Sequence, residues 1–135
     1  MNRKWLGMGL VAVVGVGIGF GLGSAVGQQQ GPALPPGVDA QVLATVDAGA
    51  EFPGQMLRMR KVTFAPGATI SMHSHKERPE VAYVLDGTLT DMRKGAAATQ
   101  INAGQGLANG REIEHMVENK TGKPVVIVGV DLIKK

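Results

Sequence analysis

The chain contains no cysteine, which removes disulfides, thiolate metal ligands and cysteine nucleophiles together. Any bound metal must therefore be held by histidine and carboxylate. Aromatic residues are scarce, with one Trp, one Tyr and three Phe in 135 residues. The core must then come from Val, Ile, Leu and Met, and 20 glycines suit a structure rich in tight turns. No run of Lys and Arg interleaved with aromatics occurs, which argues against a nucleic-acid partner. The net charge of +3 is itself overstated. Arg3 and Lys4, two of the 14 basic residues set against 11 acidic ones, lie in a segment with no acid, and without them it falls to +1.

Asn2-Arg3-Lys4 precedes a stretch from Trp5 to Val26 without a charged side chain, and Ala25-Val26-Gly27 places small residues ahead of Gln28. Residues 1–27 thus have the layout of a secretory signal peptide. The competing reading is an uncleaved membrane anchor, with Gly15, Gly19 and Gly23 at the spacing of close helix approach. Either way the positive charge stays inside and the remainder is delivered outside the cytoplasm, to the periplasm or the medium. The membrane is a partner only if the segment is uncleaved. Residues 28–40 read as a Gln/Pro/Gly-rich linker, leaving residues 41–135 as one small domain with a single core.

That domain reads as all-β. Short β-forming runs at 41–46, 55–64, 80–85, 88–93, 99–102, 113–118 and 124–133 alternate with turn signals. Asp86-Gly87 between two of them predicts a hairpin, and the segment after Asn102 reads as a Gly-rich loop.

The three histidines carry the functional reading. His73 and His75 stand two apart on an expected strand and so share a face. Glu80 opens the next strand, and His115 lies in another apolar strand with Ile113 and Val117 on its face. Three imidazoles and a carboxylate suit one divalent transition metal, Fe, Mn, Cu, Ni, Co or Zn.

The run from Gly67 to Gly87, with His73-Ser-His75, then Glu80, then Gly87, resembles the first motif of the cupin family at each defining position. Gly104, His115 and Asn119 resemble the second motif, which departs at Gly110 and Glu112, where the family has Pro and Gly. The resemblance implies a double-stranded β-helix, a jelly-roll-like barrel, whose interior metal is bound by His73, His75, Glu80 and His115. It also implies either a metal-dependent enzyme, with dioxygenase-like oxidation of a small molecule the leading expectation, or a non-catalytic module that binds a small molecule or metal. No catalytic residue is assigned beyond the ligands, and a homodimer through outer strands is compatible with the resemblance. Ala82 and Val84 are expected inside the barrel with Glu80, Tyr83 outside, Met72 and Met116 in core packing, and Asn119 in a turn. Glu112 points away from the metal unless its strand begins later, in which case it reaches the site mouth. Because histidine must be neutral to coordinate, metal affinity is expected to fall as pH drops through about 6.5.

Overall fold

The computed structural model describes residues 33–135, so the segment read as a signal peptide or anchor lies outside the described residues. Among those described, the chain forms nine strands and no helix: β1 (Val38–Asp47), β2 (Gln55–Phe64), β3 (Thr69–Ser74), β4 (Glu80–Asp86), β5 (Thr88–Arg93), β6 (Thr99–Asn102), β7 (Gly106–Asn109), β8 (Glu114–Glu118) and β9 (Val125–Lys134). They build two sheets, β1-β2-β9-β4-β7 and β3-β8-β5-β6, with antiparallel pairing throughout. β1 starts at Val38, within the segment expected to be linker. β7 lies in what reads as a Gly-rich loop; its pattern, Leu107 and Asn109 buried and Gly106 and Ala108 exposed, was too short to stand out.

The expected hairpin at Asp86-Gly87 is corrected by the sheets. β4 pairs with β7 and β9, whereas β5 pairs with β6 and β8, so the chain leaves one sheet for the other at Gly87. Gly87 has φ of +84°, and a Cβ there would lie 2.9 Å from Val125 Cγ2 and 3.2 Å from the Pro124 carbonyl oxygen. Glycine is required at this corner both for its backbone and for the close approach of β9. Ala65-Pro66-Gly67, by contrast, is the turn its composition predicts. Ala68 N–H donates to the Ala65 carbonyl at 3.0 Å, and Gly67 takes the positive φ that position demands.

On β2, β4, β7, β8 and β9 period-two alternation aims one face inward, and the buried face is graded along its length. On β2 and β9 the pairs Phe64–Val125 and Val62–Ile127 are apolar, the next is Arg60–Gly129, and the next Arg58–Asp131. β4 continues the layers with Val84 beside Ile127, Ala82 beside Gly129 and Glu80 beside Asp131. Val62, Phe64, Val84, Leu89, Val117, Val125 and Ile127 belong to the apolar core. Beyond it the interior is lined by charge. Ala82 and Val84 are buried and Tyr83 is exposed, as their parity predicts. Met72, expected in the core, is 51% exposed; it alternates away from His73 onto the exposed face of β3.

Candidate metal centre

His73 and His115 are direct cross-strand partners on β3 and β8. His75 follows the last residue of β3, and its N–H extends the ladder by donating to the Ile113 carbonyl at 2.9 Å. One irregularity makes this convergence work. Ile70 pairs with Val117 and His73 with His115, so Ser71 and Met72 together oppose Met116 alone. Ile70 packs against the core, and strict alternation would send His73 to the opposite face. The one-residue bulge restores the inward direction and turns the Ser71 carbonyl to meet the His73 ring.

Each imidazole is anchored through Nδ1. His73 Nδ1 donates to the Ser71 carbonyl at 2.9 Å, His75 Nδ1 to the Arg78 carbonyl at 2.9 Å, and His115 Nδ1 to Asp91 Oδ1 at 2.7 Å. A neutral imidazole carries one proton, so all three Nε2 atoms are left as bare acceptors. They converge. His75 Nε2 lies 3.2 Å from His73 Nε2 and 2.9 Å from His115 Nε2. With every ring proton already donated elsewhere, no proton remains to join these pairs, and three lone pairs face a common point.

A cation is what that point fits. Separations of 2.9 and 3.2 Å are short enough for one ion, at the usual ligand distance of about 2.0–2.1 Å, to be held by both nitrogens of each pair. Imidazole donors without thiolate suit Zn, Cu, Fe, Ni, Co or Mn. The donor atoms of His73, His75 and His115 form a group within 4.8 Å of one another. His75 and His115 are buried, and burial pushes the His75 imidazole down to about 4 and that of His73 downward as well. Both stay neutral, as ligands must, over the physiological range.

Glu80, expected as the fourth ligand, is not in this group. Its Oε1 lies 3.5 Å from Arg60 Nη2, and its backbone partner on β7 is Asn109. Gly129 leaves room for it: a Cβ there would sit 2.5 Å from Glu80 Oε1. Burial raises the Glu80 carboxyl above the usual range, with Arg60 opposing. Glu112 is exposed, precedes β8, and folds back over Gly110, whose missing side chain accommodates it. Asn119 is more than a turn residue. Its buried amide donates to the Phe64 and Lys123 carbonyls at 3.0 and 2.7 Å and receives Thr121 N–H at 2.9 Å, tying the β8–β9 turn to β2.

Several site residues escaped the sequence reading. Asp91 is buried on β5, with Oδ1 on His115 and Oδ2 receiving Arg93 Nε at 3.0 Å. Asp131 is buried on β9, receiving Arg58 Nε and Nη2 at 3.1 and 2.8 Å and Arg60 Nη2 at 3.1 Å. Arg78 Nε lies 3.6 Å from the same carboxylate. The signals were present. Asp131 is a lone acid in an apolar run, and Arg58 and Arg60 share the parity of the core residues Val62 and Phe64.

Comparison with known proteins accords with this geometry. Residues 60–131, just over half the chain, match the family described as "Cupin domain". No curated protein matches the chain. Among solved structures, a cupin 2 conserved barrel domain protein from Salinispora arenicola CNS-205 superposes with a TM-score of 0.57 at 21% identity, over 73% of this chain and 78% of that one. KdgF from Halomonas sp. gives 0.59 at 19% identity, over 74% and 83%. Recombinant oxalate oxidase in complex with glycolate gives 0.55 at 22% identity, over 76% of this chain but only 57% of that one. At these identities the likeness is one of fold.

Proposed function

The chain belongs to the cupin domain family, and we propose that it is a metal-dependent enzyme acting on a small organic molecule outside the cytoplasm, with oxygen-dependent oxidation its reaction class. The observation that carries this reading is the convergence of three Nε2 atoms whose rings have all spent their protons on Nδ1. His73, His75 and His115 hold the ion, and Glu80, at the position that the family resemblance makes a ligand, belongs to the same proposal as its fourth donor. When bound, the ion supplies Lewis acidity and, if redox-active, electron exchange with dioxygen.

The protein's own contribution is orientation and exclusion of water. Ser71, Arg78 and Asp91 fix the three rings in one tautomer through main-chain and carboxylate acceptors. Arg93 holds Asp91 in turn. Apolar side chains of the core fill the other end of the barrel.

Export by residues 1–27 is part of the same proposal and is supported by their charge and hydropathy pattern. Pairing of two barrels is supported by Val81, Tyr83 and Leu85, which stand exposed in one row on the outer face of β4.

A non-catalytic binding module is the second reading, and one observation favours it. The interior carboxylates are all engaged, Asp91 by His115 and Arg93, Asp131 by Arg58 and Arg60, and Glu80 by Arg60. Among the described residues, none of these three stands free as a general base. The deciding experiment is elemental analysis of the untagged protein beside His75→Ala, followed by oxygen-electrode assays with diphenols, flavonols and small carboxylates. One equivalent of a transition metal, lost in the variant, together with oxygen uptake, supports the enzyme. Metal and ligand binding without consumption supports the module. A parent that takes up no added metal overturns the enzyme and leaves at most a module that binds a small molecule without metal.

A further inference from the structure

The outer face of the smaller sheet carries a second set of donor atoms. His115 and Asp91 are buried on its inner face, so their chain neighbours Met116 and Met92 point outward, and these two are direct cross-strand partners on β8 and β5. On β3 the bulge sets Ser71 and Met72 opposite Met116, and Met72 alternates away from His73. Met72, Met116 and Met92 thus form one row across three neighbouring strands, on the far side of the backbone from the histidines. Met72 is 51% exposed, and the other two are partly buried.

The rows on either side are polar: Ser74, Glu114 and Lys94 on one, Thr69, Glu118 and Thr90 on the other. Each glutamate is offset by a lysine, Glu114 by Lys94 at 2.7 Å and Glu118 by Lys120 at 3.6 Å. An apolar row on a strand face needs only bulk, which β-branched and aromatic residues supply with better strand propensity. Three methionines in register share something that bulk does not require, a soft sulfur donor.

In a chain without cysteine, thioethers are the sulfur that remains. The donors expected from the sequence, histidine and carboxylate, leave this class out. A thioether is neutral, polarisable and carried on an unbranched, adaptable side chain, and it selects Cu(I) over harder divalent ions. Direct cross-strand partners hold their Cβ atoms about 4.5–5.5 Å apart. Two sulfurs on one ion, at metal–sulfur distances of about 2.3 Å, lie up to about 4.6 Å apart. Met116 stands in the middle, one strand spacing from each of the others, so the flanking side chains need only lean towards it. We propose that Met72, Met92 and Met116 form a site for one soft monovalent cation, Cu(I), separate from the histidine centre. Neutral donors between lysine-matched carboxylates suit a single positive charge.

The test uses the full-length chain, first saturated with Zn(II) to fill the histidines. Ag(I) is the redox-inert probe, and Cu(I) under anaerobic conditions the second. Calorimetry is expected to show one equivalent of Ag(I) that is missing from the triple variant Met72→Leu, Met92→Leu, Met116→Leu, whose exchanges conserve volume and leave the fold intact. Met116→Leu alone removes the central ligand, and should weaken binding by no less than the roughly 10–100-fold typical of losing an outer partner of a metal site. Met59→Leu, exposed on β2 in the other sheet, should change nothing. Ag(I) should shift the methyl resonances of three methionines in the parent, and X-ray absorption at the copper edge should show sulfur ligands. His75→Ala should retain the equivalent. An equivalent that survives the triple exchange, vanishes in His75→Ala or shows nitrogen ligands alone overturns the proposal. So does a parent that takes up no more Ag(I) than the triple variant.

Discussion

Asp91 grips His115 from behind, its Oδ1 2.7 Å from the ring's Nδ1, while its other oxygen is held at 3.0 Å by Arg93 Nε. Both carboxylate oxygens are therefore spoken for in a buried position, and the His115 ring is fixed in the tautomer that leaves Nε2 free. The three residues lie on neighbouring strands, with Arg93 the cross-strand partner of His115 itself.

Asp91→Asn tests that grip. The amide cannot match the carboxylate as acceptor for both His115 and Arg93, so ring basicity and orientation suffer together. Loss of such an outer partner typically costs about 10–100-fold in metal affinity. Competition titration with Zn(II) or Co(II) is expected to show a drop in this range, in a protein whose circular dichroism is unchanged.

The pH dependence of the metal-free protein follows from His75. Burial holds its imidazole at about 4 in the folded state, against about 6.5 in the unfolded chain. Between those values the unfolded chain binds a proton that the folded one does not, so stability falls as pH drops through that window. The loss approaches about 3 kcal/mol at its lower end. His73, also lowered by burial, acts in the same direction. Glu80, raised by burial, acts in the opposite one. Thermal melts of the metal-free parent and His75→Gln from pH 7 to 4 isolate the term, and the variant should show the flatter profile. Metal retention should also extend below the pH near 6.5 expected for ordinary histidines.

Gly129→Ala tests the placement of Glu80. The added methyl would meet Oε1 at 2.5 Å and Cδ at 3.3 Å, and the carboxylate, only 12% exposed, has little room to retreat. Destabilisation of about 1–3 kcal/mol is expected, as for other overpacked interiors. In a Glu80→Ala background most of that cost should vanish, which a double-mutant cycle by urea unfolding measures.

Asp131→Asn removes the charge and one of the two acceptor oxygens that serve Arg58 and Arg60, and leaves two buried guanidinium groups with too little counter-charge. Breaking one side of a buried ionic cluster typically costs about 3–5 kcal/mol. Chemical denaturation should show a loss of this size, larger than that from Arg58→Met paired with Asp131→Leu, which removes both charges.

By itself the amino-acid sequence determined the class of fold and the candidate metal ligands. Alternation and turn residues mark out the strands, absent cysteine forces nitrogen and oxygen donors, and the spacing of His73, His75 and His115 brings the cupin resemblance into view. These are local properties, written in residue order. What the tertiary structure decided are matters of register and of contact between distant segments. The bulge at Ser71–Met72 lets Ile70 and His73 face the same interior although their parity says otherwise, and only pairing against Val117 and His115 reveals it. Gly87 reads as a hairpin turn, but whether a strand pairs with its neighbour in sequence or crosses to the facing sheet depends on what the rest of the barrel offers it. The places of Asp91, Arg60 and Asp131 beside the site were settled in the same way, because a buried charge is tolerable only where a partner far along the chain meets it.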